Sequence, residues 1–282
     1  MVQRRRRNAA TGDSGKRVLI IPALNGSVTA LEWVLAAAFS AGFVDAIVGG
    51  GGLVQLPALL AAYPDVAPPV LLGTNKLSSI CGTTGALLRY MRVVPIPWRL
   101  LLPAAVIAFL SALGGASLVS AVSPHLFRPL VPVMLTVVLL YVVSQKQLGT
   151  RHLPILFSAR RQYAAWAAIG VIGFYDGFFG PGTGSFLMLL FIRIYGFDFL
   201  HASAGARALN VATNAGALLV FGIHGEVHWL FGAALGVCNT VGSVLGAQTA
   251  IKHGSRFVRV VFIVIVIALI AKTGADACKL YG

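Results

Sequence analysis

The chain has 282 residues, and 57% of them are hydrophobic while only 11% are charged. Ordinary soluble domains carry roughly a quarter charged residues, so this composition excludes an ordinary soluble domain and predicts an all-α, polytopic membrane protein. The net charge of +14 would favour nucleic-acid binding in a soluble protein. Here, however, much of the positive charge lies in an N-terminal tail and in short loops, as in membrane proteins that follow the positive-inside rule. We therefore expect membrane lipids, and no nucleic acid, as partners.

The first half of the chain begins with a basic tail and a first pair of apolar segments. Residues 1–28 contain a run of arginines and are predicted to be a disordered tail. A membrane helix is predicted over residues 31–48, and it runs into four consecutive glycines at positions 49–52. Since a spanning helix needs about 20 apolar residues, the apolar segment 53–62 is predicted to be only a half-helix.

The later segments of the first half are longer. We expect Pro68 and Pro69 to keep the next connection non-helical. The segments predicted to be helical after this connection are residues 75–91, 98–120 and 127–143.

A polar, basic linker over residues 144–161 is predicted to separate one membrane unit, residues 29–143, from a second, residues 162–282. The second unit repeats the first at an offset of 131 residues. Three chemically distinctive pairs match at this offset, namely Asp45 with Asp176, Lys76 with Arg207, and Trp98 with Trp229. Internal duplication with broken helices at corresponding positions is typical of secondary transporters, whose site lies between the repeats.

The count of apolar segments predicts about eight spanning helices plus short half-helices. In the second unit, these segments include residues 229–251 and 258–272. Inverted repeats are favoured by the basic loops at 89–99, 144–161 and 252–259, because all three become cytoplasmic in that arrangement. The arginine-rich tail then lies on the other side of the membrane. A parallel arrangement of four spans plus four places the arginine-rich tail on the cytoplasmic side but puts the loop 252–259 on the other side of the membrane. This arrangement stays open as an alternative.

Most candidate binding residues lie at two glycine-rich interruptions. Residues 173–184, GFYDGFFGPGTG, place an acid and several helix-breaking residues in an apolar region, and residues 42–52 have a similar start and glycine cluster. Irregular backbone at membrane depth persists only where protein or a watery cavity covers it. Each interruption precedes a short helix whose N-terminal amides could hold an oxyanion. Alternatively, the glycines only allow close helix crossing. The candidates are Gly49, Gly50, Gly51, Gly52, Gly180, Gly182, Thr183 and Gly184.

Two cations and two acids are the charged candidates. Lys76 and Arg207 each lie early in a predicted helix. They could attract an anion, pair with the aspartates, or extend to the membrane interface. Asp45 and Asp176 are candidates for coupling or gating, and they could instead only hold the broken helices by bonding backbone amides. The neutral candidates on the helices that bear the cations are Asn75, Asn210 and Asn214, with helix–helix hydrogen bonding as the alternative.

With these motifs in view, the chain resembles the sulfite exporter TauE/SafE family, also called the toluene sulfonate uptake permeases. The resemblance covers about residues 31–272 and depends on the two glycine-rich motifs, on Pro57 and on the sequence Gly-Thr-Asn-Lys at 73–76. It implies a multi-pass protein of the cytoplasmic membrane that moves sulfite, sulfonates or other small organosulfur anions with proton coupling. The arginine-rich tail is an addition to the bare core of this family.

The sequence thus favours a secondary transporter of a small anion, operating as an exporter, over two alternatives. A passive anion channel would share the same features. A membrane-embedded aspartyl hydrolase would use the two aspartates as a proton-sharing pair, but the Gly-x-Gly-Asp motif of intramembrane aspartyl proteases is absent from the sequence. We therefore expect no enzymatic activity, no cofactor and no metal, and we leave a homo-oligomer open.

Overall fold

The computed structural model describes residues 28–119 and 159–281, and most of these residues lie in α-helices. The helices are α1 (Val28–Val48), α2 (Gly52–Ala62), α3 (Pro68–Tyr90), α4 (Trp98–Ser117), α5 (Ala159–Phe178), α6 (Thr183–Tyr195), α7 (Phe199–Ile223) and α8 (Trp229–Tyr281). Within the described ranges, four helical segments are long and apolar enough to cross a membrane, in α1, α4, α7 and α8, while α2 and α6 are shorter apolar helices. The prediction of an all-α polytopic membrane protein is confirmed.

Several predicted boundaries need correction. The helix expected from residue 75 begins at Pro68, with prolines at its first two positions. Proline is tolerated there because the first N–H groups of a helix have no intrahelical partner. Helix α5 begins at Ala159, within the predicted linker, and α4 ends at Ser117 rather than at residue 120. The predicted tail, the span 127–143 and most of the linker lie outside the described residues.

The last two predicted spans are parts of one long helix, α8, which is interrupted at a glycine. Gly254 has φ 74° and ψ −176°, a backbone conformation that is essentially restricted to glycine. The interruption lies between the predicted spans 229–251 and 258–272, so the two segments were expected in the right places but not as one helical element.

The helices of the second half begin 131 residues after their counterparts in the first half. Thr183 follows Gly52, Phe199 follows Pro68, and Trp229 follows Trp98 at this distance. The offset that pairs the distinctive residues in the sequence is therefore also the offset between the helix starts.

The helix contacts show that the two halves have opposite directions. Close contacts pair Phe39 with Gly242 and Phe43 with Gly246, so α1 and α8 run parallel. In the same way, Ala108 contacts Gly173 and Ala112 contacts Gly177, so α4 and α5 run parallel. Contacts of α3 with α8 pair Leu77 with Gly232 and Cys81 with Gly236, which makes these two helices parallel as well.

Because a short loop reverses the chain between α3 and α4, α4 and α5 run against α1, α3 and α8. Each helix of the second half consequently runs opposite to its counterpart in the first half. This is the inverted arrangement that the loop charges favoured.

The two short helices fold back along the helices that precede them. Leu59 and Tyr63, at the end of α2, pack with Val34 and Ala38 near the start of α1. A ring contact joins Tyr175 of α5 to Phe186 of α6, with the centroids 5.8 Å apart. Each glycine-rich interruption is thus the tip of a helical hairpin. The shorter arms of the two hairpins, α2 and α6, begin at these tips inside the bundle.

The basic segments lie together at one end of the bundle, which we call the basic end. The amide of Leu200 at the start of α7 donates to Ser255 Oγ, just after the interruption of α8 (3.2 Å). The hydroxyl of Tyr90 at the end of α3 donates to the carbonyl of Ala46 at the end of α1 (2.8 Å). These contacts bring the described parts of the three basic loops to one end, as the sequence predicted. Their residues include Arg92, Arg99, Arg160, Arg161, Lys252, Arg256 and Arg259.

Candidate functional site

The tips of the two hairpins are in direct contact in the middle of the bundle. Gly49 packs on the backbone of Gly184, and a Cβ added to Gly184 would lie 2.6 Å from the Cα of Gly49. A Cβ on Gly52 would lie 3.3 Å from the Cα of Pro181. Since Cβ atoms do not approach backbone this closely, glycine is what allows the two tips to touch.

Glycine is also required by the backbone conformation at the tips. Gly49 has φ 84°, Gly180 has φ 93° and Gly182 has φ 86°, all in the left-handed region that side chains disfavour. Gly49 and Gly180 are counterparts at the 131-residue offset, so both hairpins turn at the same position. The alternative explanation of these glycines, close helix packing, therefore holds together with the helix interruption and does not replace it.

Helices α2 and α6 start at the touching tips and run away from them in opposite directions. The first N–H groups of a helix lack intrahelical acceptors, and the macrodipole places partial positive charge at the same end. Two helix N-termini therefore face one region at the centre of the protein. Such an arrangement favours negative charge between the tips.

Two ion pairs cross between the halves at this point. Lys76 Nζ of α3 lies 2.9 Å from Asp176 Oδ1 of α5, and Arg207 Nη1 of α7 lies 3.2 Å from Asp45 Oδ2 of α1. Each half thus supplies the cation for the acid of the other half. The pairing of cations with the aspartates, one of the roles considered from the sequence, is what the structure shows.

Neither cation extends to a membrane interface. Lys76 is 3% exposed and Arg207 is 0% exposed, and because α3 begins at Pro68, Lys76 lies in its third turn rather than near its start. Arg207 lies equally deep in α7, which begins at Phe199. The interfacial alternative for these residues is wrong.

The two acids have different surroundings. Asp45 Oδ1 accepts a hydrogen bond from the backbone N–H of Gly51 (3.2 Å), so this residue also stabilises the turn of its own hairpin. Asp176 Oδ2 has no hydrogen-bond partner among the described residues. The same is true of Asn75 Oδ1 and of Arg207 Nε and Nη2. Buried polar atoms are normally hydrogen-bonded, so these atoms are available for a ligand or for water.

A small chamber of about 30 Å³ lies between the tips and the ion pairs. Since one water needs roughly 10–15 Å³ of such volume, the chamber has room for two or three water molecules. Twelve of the residues that the sequence singled out line it: Asp45, Gly49, Gly51, Gly52, Asn75, Lys76, Asp176, Gly180, Gly182, Gly184, Asn210 and Asn214.

Three of the predicted residues lie outside this lining. Thr183 Oγ1 donates to the carbonyl of Gly180 (2.7 Å) and so closes the turn of the second hairpin. The carbonyl of Gly50 accepts a hydrogen bond from the amide of Leu53 (3.0 Å) in the first turn of α2. Arg207 reaches the chamber only through Asp45, which does line it.

The lining also contains three residues that the sequence analysis did not select, Ser79, Thr83 and Asn239. Ser79 and Thr83 follow Asn75 at steps of four residues, so helical periodicity places them on one face. They are also the counterparts of Asn210 and Asn214 at the 131-residue offset. Asn239 is a buried amide of α8, and from the sequence alone such a residue is equally compatible with a hydrogen bond between helices.

Inverted halves, hairpins that end inside the bundle and a central chamber of opposite charges together define a membrane protein built like a secondary transporter. The comparison with known families agrees. The family model described as "Sulfite exporter TauE/SafE" matches residues 34–273. The chain therefore belongs to this family.

Curated relatives carry names of the same kind. The chain is 35% identical over 251 residues to "Probable membrane transporter protein ORF9" of Sinorhizobium sp., covering 87% of this chain and 93% of the relative. It is 35% identical to "Probable membrane transporter protein YfcA" of Escherichia coli K12, with coverage of 85% and 88%. A "Probable membrane transporter protein" of Haemophilus influenzae is 30% identical, with coverage of 84% and 92%. No solved structure matches the chain.

These findings make the protein a multi-pass membrane transporter and not an enzyme. The geometry of the acids fits this conclusion, because Asp45 and Asp176 each pair with a separate cation. A proton-sharing pair of the aspartyl-protease type needs the two carboxylates to face each other. As a transporter, the protein has a small-molecule substrate and a lipid environment.

Proposed function

We propose that the protein exports a small organosulfur anion, such as sulfite or a sulfonate, across the cytoplasmic membrane in exchange for or together with protons. The observation that carries this proposal is the central chamber, which two helix N-termini and the Lys76–Asp176 pair surround. Positive helix ends and a buried ammonium group are both selective for negative charge, and the description of the family supplies the sulfur chemistry.

Lys76 is the proposed first contact of the anion. Its Nζ carries three donors, and in this conformation only the contact with Asp176 Oδ1 occupies it among the described groups. A second anion at Nζ competes with Asp176 for the same positive charge. Since a buried carboxylate without a counter-charge is costly, the release of Asp176 favours uptake of a proton by its carboxylate. This exchange of partners is the proposed link between anion and proton movement.

Movement of one half against the other is the proposed route for the anion. A chamber with room for two or three waters is too small for an anion such as a sulfonate, so the halves are proposed to separate as the anion enters or leaves. This separation would part the touching glycines and break the hydrogen bond from Ser185 Oγ to the Val48 carbonyl (2.8 Å). The basic end is proposed to be cytoplasmic by the positive-inside rule.

Flux of labelled sulfite in proteoliposomes tests the proposal. We expect saturable flux in the wild-type protein and at least a hundredfold reduction in Lys76→Met, because the variant lacks the charge that binds the anion. Lys252→Met is the matched control, since this lysine is exposed near the basic end, and it should retain the wild-type flux. Equal flux in wild type and Lys76→Met would contradict the proposed site.

Proton coupling is tested by the same assay under an imposed pH gradient. Wild-type flux should respond to the gradient, while Asp176→Asn, which cannot exchange a proton, should transport at a rate that ignores it. Flux that is not saturable and that ignores the gradient in the wild type would instead identify a passive anion channel.

A further inference from the structure

The polar residues in and around the chamber correspond between the two halves at some positions and differ at others. The aspartates, the cations, the turn glycines and the pairs Ser79/Asn210 and Thr83/Asn214 all correspond at the 131-residue offset. A second group of buried polar residues has apolar counterparts instead. These residues, with their counterparts, are Gln55 (Phe186), Asn75 (Ala206), Ser78 (Leu209), Asn239 (Ala108) and Ser243 (Ala112).

These five residues contribute to one wall of the protein interior, which we call the neutral wall. Gln55 Oε1 accepts hydrogen bonds from Asn239 Nδ2 (2.9 Å) and from Ser78 Oγ (3.2 Å). Ser243 Oγ lies within hydrogen-bond distance of both the Gly42 carbonyl (3.2 Å) and Asn239 Oδ1 (3.3 Å). Asn75 lies one turn before Ser78 on α3. Since Asn75 and Asn239 line the chamber, the network extends from the chamber into the protein.

Two atoms of the neutral wall have no partner among the described residues, Gln55 Nε2 and Asn75 Oδ1. Their residues are 1% and 6% exposed. The assignment of the Gln55 amide follows from its neighbours, because Oε1 already accepts two hydrogen bonds and Nε2 is left as the donor.

Side chains on a helix point towards its N-terminus. Gln55 lies in the first turn of α2, directly beyond Gly51 and Gly52, which line the chamber. Asn75 Oδ1 therefore offers an unpartnered acceptor in the chamber lining, while Gln55 lies outside the lining and contributes through its hydrogen bond with Asn239, which does line the chamber.

We infer that the neutral wall selects the substrate by its uncharged end. The charged part binds the anionic oxygens, while Asn75 Oδ1 accepts a hydrogen bond from a donor at the other end of the substrate, such as a hydroxyl or an amino group, and Gln55 holds Asn239 in the same lining. An apolar substituent at that position leaves this buried acceptor unpaired, and sites built around such atoms discriminate strongly against analogues that lack the partner. The substrate class is thus a compact oxyanion with a polar uncharged end, rather than an alkyl or aryl sulfonate. This inference depends on the proposed anion site.

Sulfamate and methanesulfonate are suitable probes, because they have the same charge and nearly the same shape and differ in an amino group against a methyl group. Each is added as a competitor of sulfite flux in proteoliposomes, and each is also added to the purified full-length protein while its thermal unfolding is followed. Ligands that bind the folded state raise the unfolding temperature. We expect sulfamate to compete and to stabilise at a concentration about tenfold lower than methanesulfonate.

Gln55→Met should weaken this preference, since methionine has a similar size but cannot accept the hydrogen bond that holds Asn239 in the lining. Asn239→Ala is a second variant. It introduces the alanine found at the corresponding position, Ala108, and removes one of the two hydrogen-bonding partners of Gln55. Gln248→Met makes the same substitution at an exposed glutamine of α8, and it should keep the wild-type ratio.

Three outcomes would overturn the inference: equal effects of the two anions on the wild type, a preference for methanesulfonate, or an unchanged ratio in Gln55→Met and Asn239→Ala. Stabilisation by neither anion counts against it as well. A different result would contradict the proposed function itself: the wild-type protein would show no saturable sulfite flux, with or without a competitor.

Discussion

The two halves of this protein differ least in the residues that carry charge and most in the neutral residues around them. Lys76 and Arg207 occupy corresponding positions and pair with corresponding acids across the centre. Yet Lys76 lines the chamber, whereas Arg207 is completely buried behind Asp45. The difference teaches that corresponding residues can have divided roles. Both pairs join the two halves, but only in the Lys76–Asp176 pair do both residues line the chamber.

The hydrogen bonds of the acids support this division. Asp45 is fixed by the Gly51 amide as well as by Arg207, so it is held on two sides. Asp176 has one oxygen on Lys76 and the other without a partner among the described residues. Both acids line the chamber, but Asp176 is the one with an oxygen that lacks a described partner, as the proposed exchange between a carboxylate and an anion requires.

The strongest test of this comparison is the loss of each cation. Lys76→Met leaves Asp176 charged, 2% exposed and without a described partner, which should destabilise the folded protein by about 3–5 kcal/mol. Arg207→Met should cost less, about 1–2 kcal/mol, because the Asp45 side chain is 14% exposed and keeps the hydrogen bond from the Gly51 N–H. Thermal unfolding of the purified variants measures the difference.

A double variant controls the Arg207 experiment. Arg207→Met combined with Asp45→Asn removes both charges but keeps an acceptor for the Gly51 amide, so it should recover most of the stability. If Arg207→Met were the more destabilised of the two single variants, the surroundings assigned to the two acids would be contradicted.

The contact between the hairpin tips gives the next largest expected effect. Gly49→Ala forces a side chain into a left-handed conformation and against the backbone of Gly184, which should cost about 2–4 kcal/mol. Gly225→Ala is the control, because Gly225 also has a positive φ of 71° but no atom lies within 4 Å of an added Cβ. It should cost only about 1 kcal/mol.

Equal unfolding temperatures for these two alanine variants would mean that the tips do not pack as described. The comparison isolates packing from backbone strain, since the strain is common to both glycines.

The smallest effect is expected at two tyrosines that secure the hairpins from positions that do not correspond. Tyr90 donates to Ala46 in the last turn of α1 (2.8 Å), and Tyr175 donates to Pro181 in the second tip (2.7 Å). Each Tyr→Phe substitution should destabilise by about 1 kcal/mol, the usual value for one buried hydrogen bond. A shift of the unfolding temperature in only one variant would show that the halves are not secured alike.

Much of this architecture could be predicted from the sequence. The apolar segments predicted the membrane helices, because the periodicity and length that a bilayer demands are local properties. The 131-residue offset anticipated the helix starts of the second half, and the glycine motifs predicted the interruptions. Loop charges favoured the inverted arrangement, which the parallel packing of α1 with α8 and of α4 with α5 then showed.

The errors have equally physical causes. Pro68 was taken as a helix breaker, although proline is tolerated in a first turn, and this mistake placed Lys76 too near a membrane interface. Ser79, Thr83 and Asn239 were not selected, because a short polar side chain in an apolar helix is compatible with simple helix packing. The role of the tail, residues 1–28, and the predicted division into two membrane units stay predictions.

By itself, the sequence determined that this chain is a helical membrane protein with two interrupted, charge-bearing halves, since length, hydropathy and glycine placement act locally along the chain. Only the tertiary structure decided that each cation pairs with the acid of the opposite half and that Arg207 lies outside the chamber. It also showed that five neutral residues form a wall on one side alone. These features depend on which helices lie next to each other, and contacts between residues a hundred or more positions apart leave no local signal.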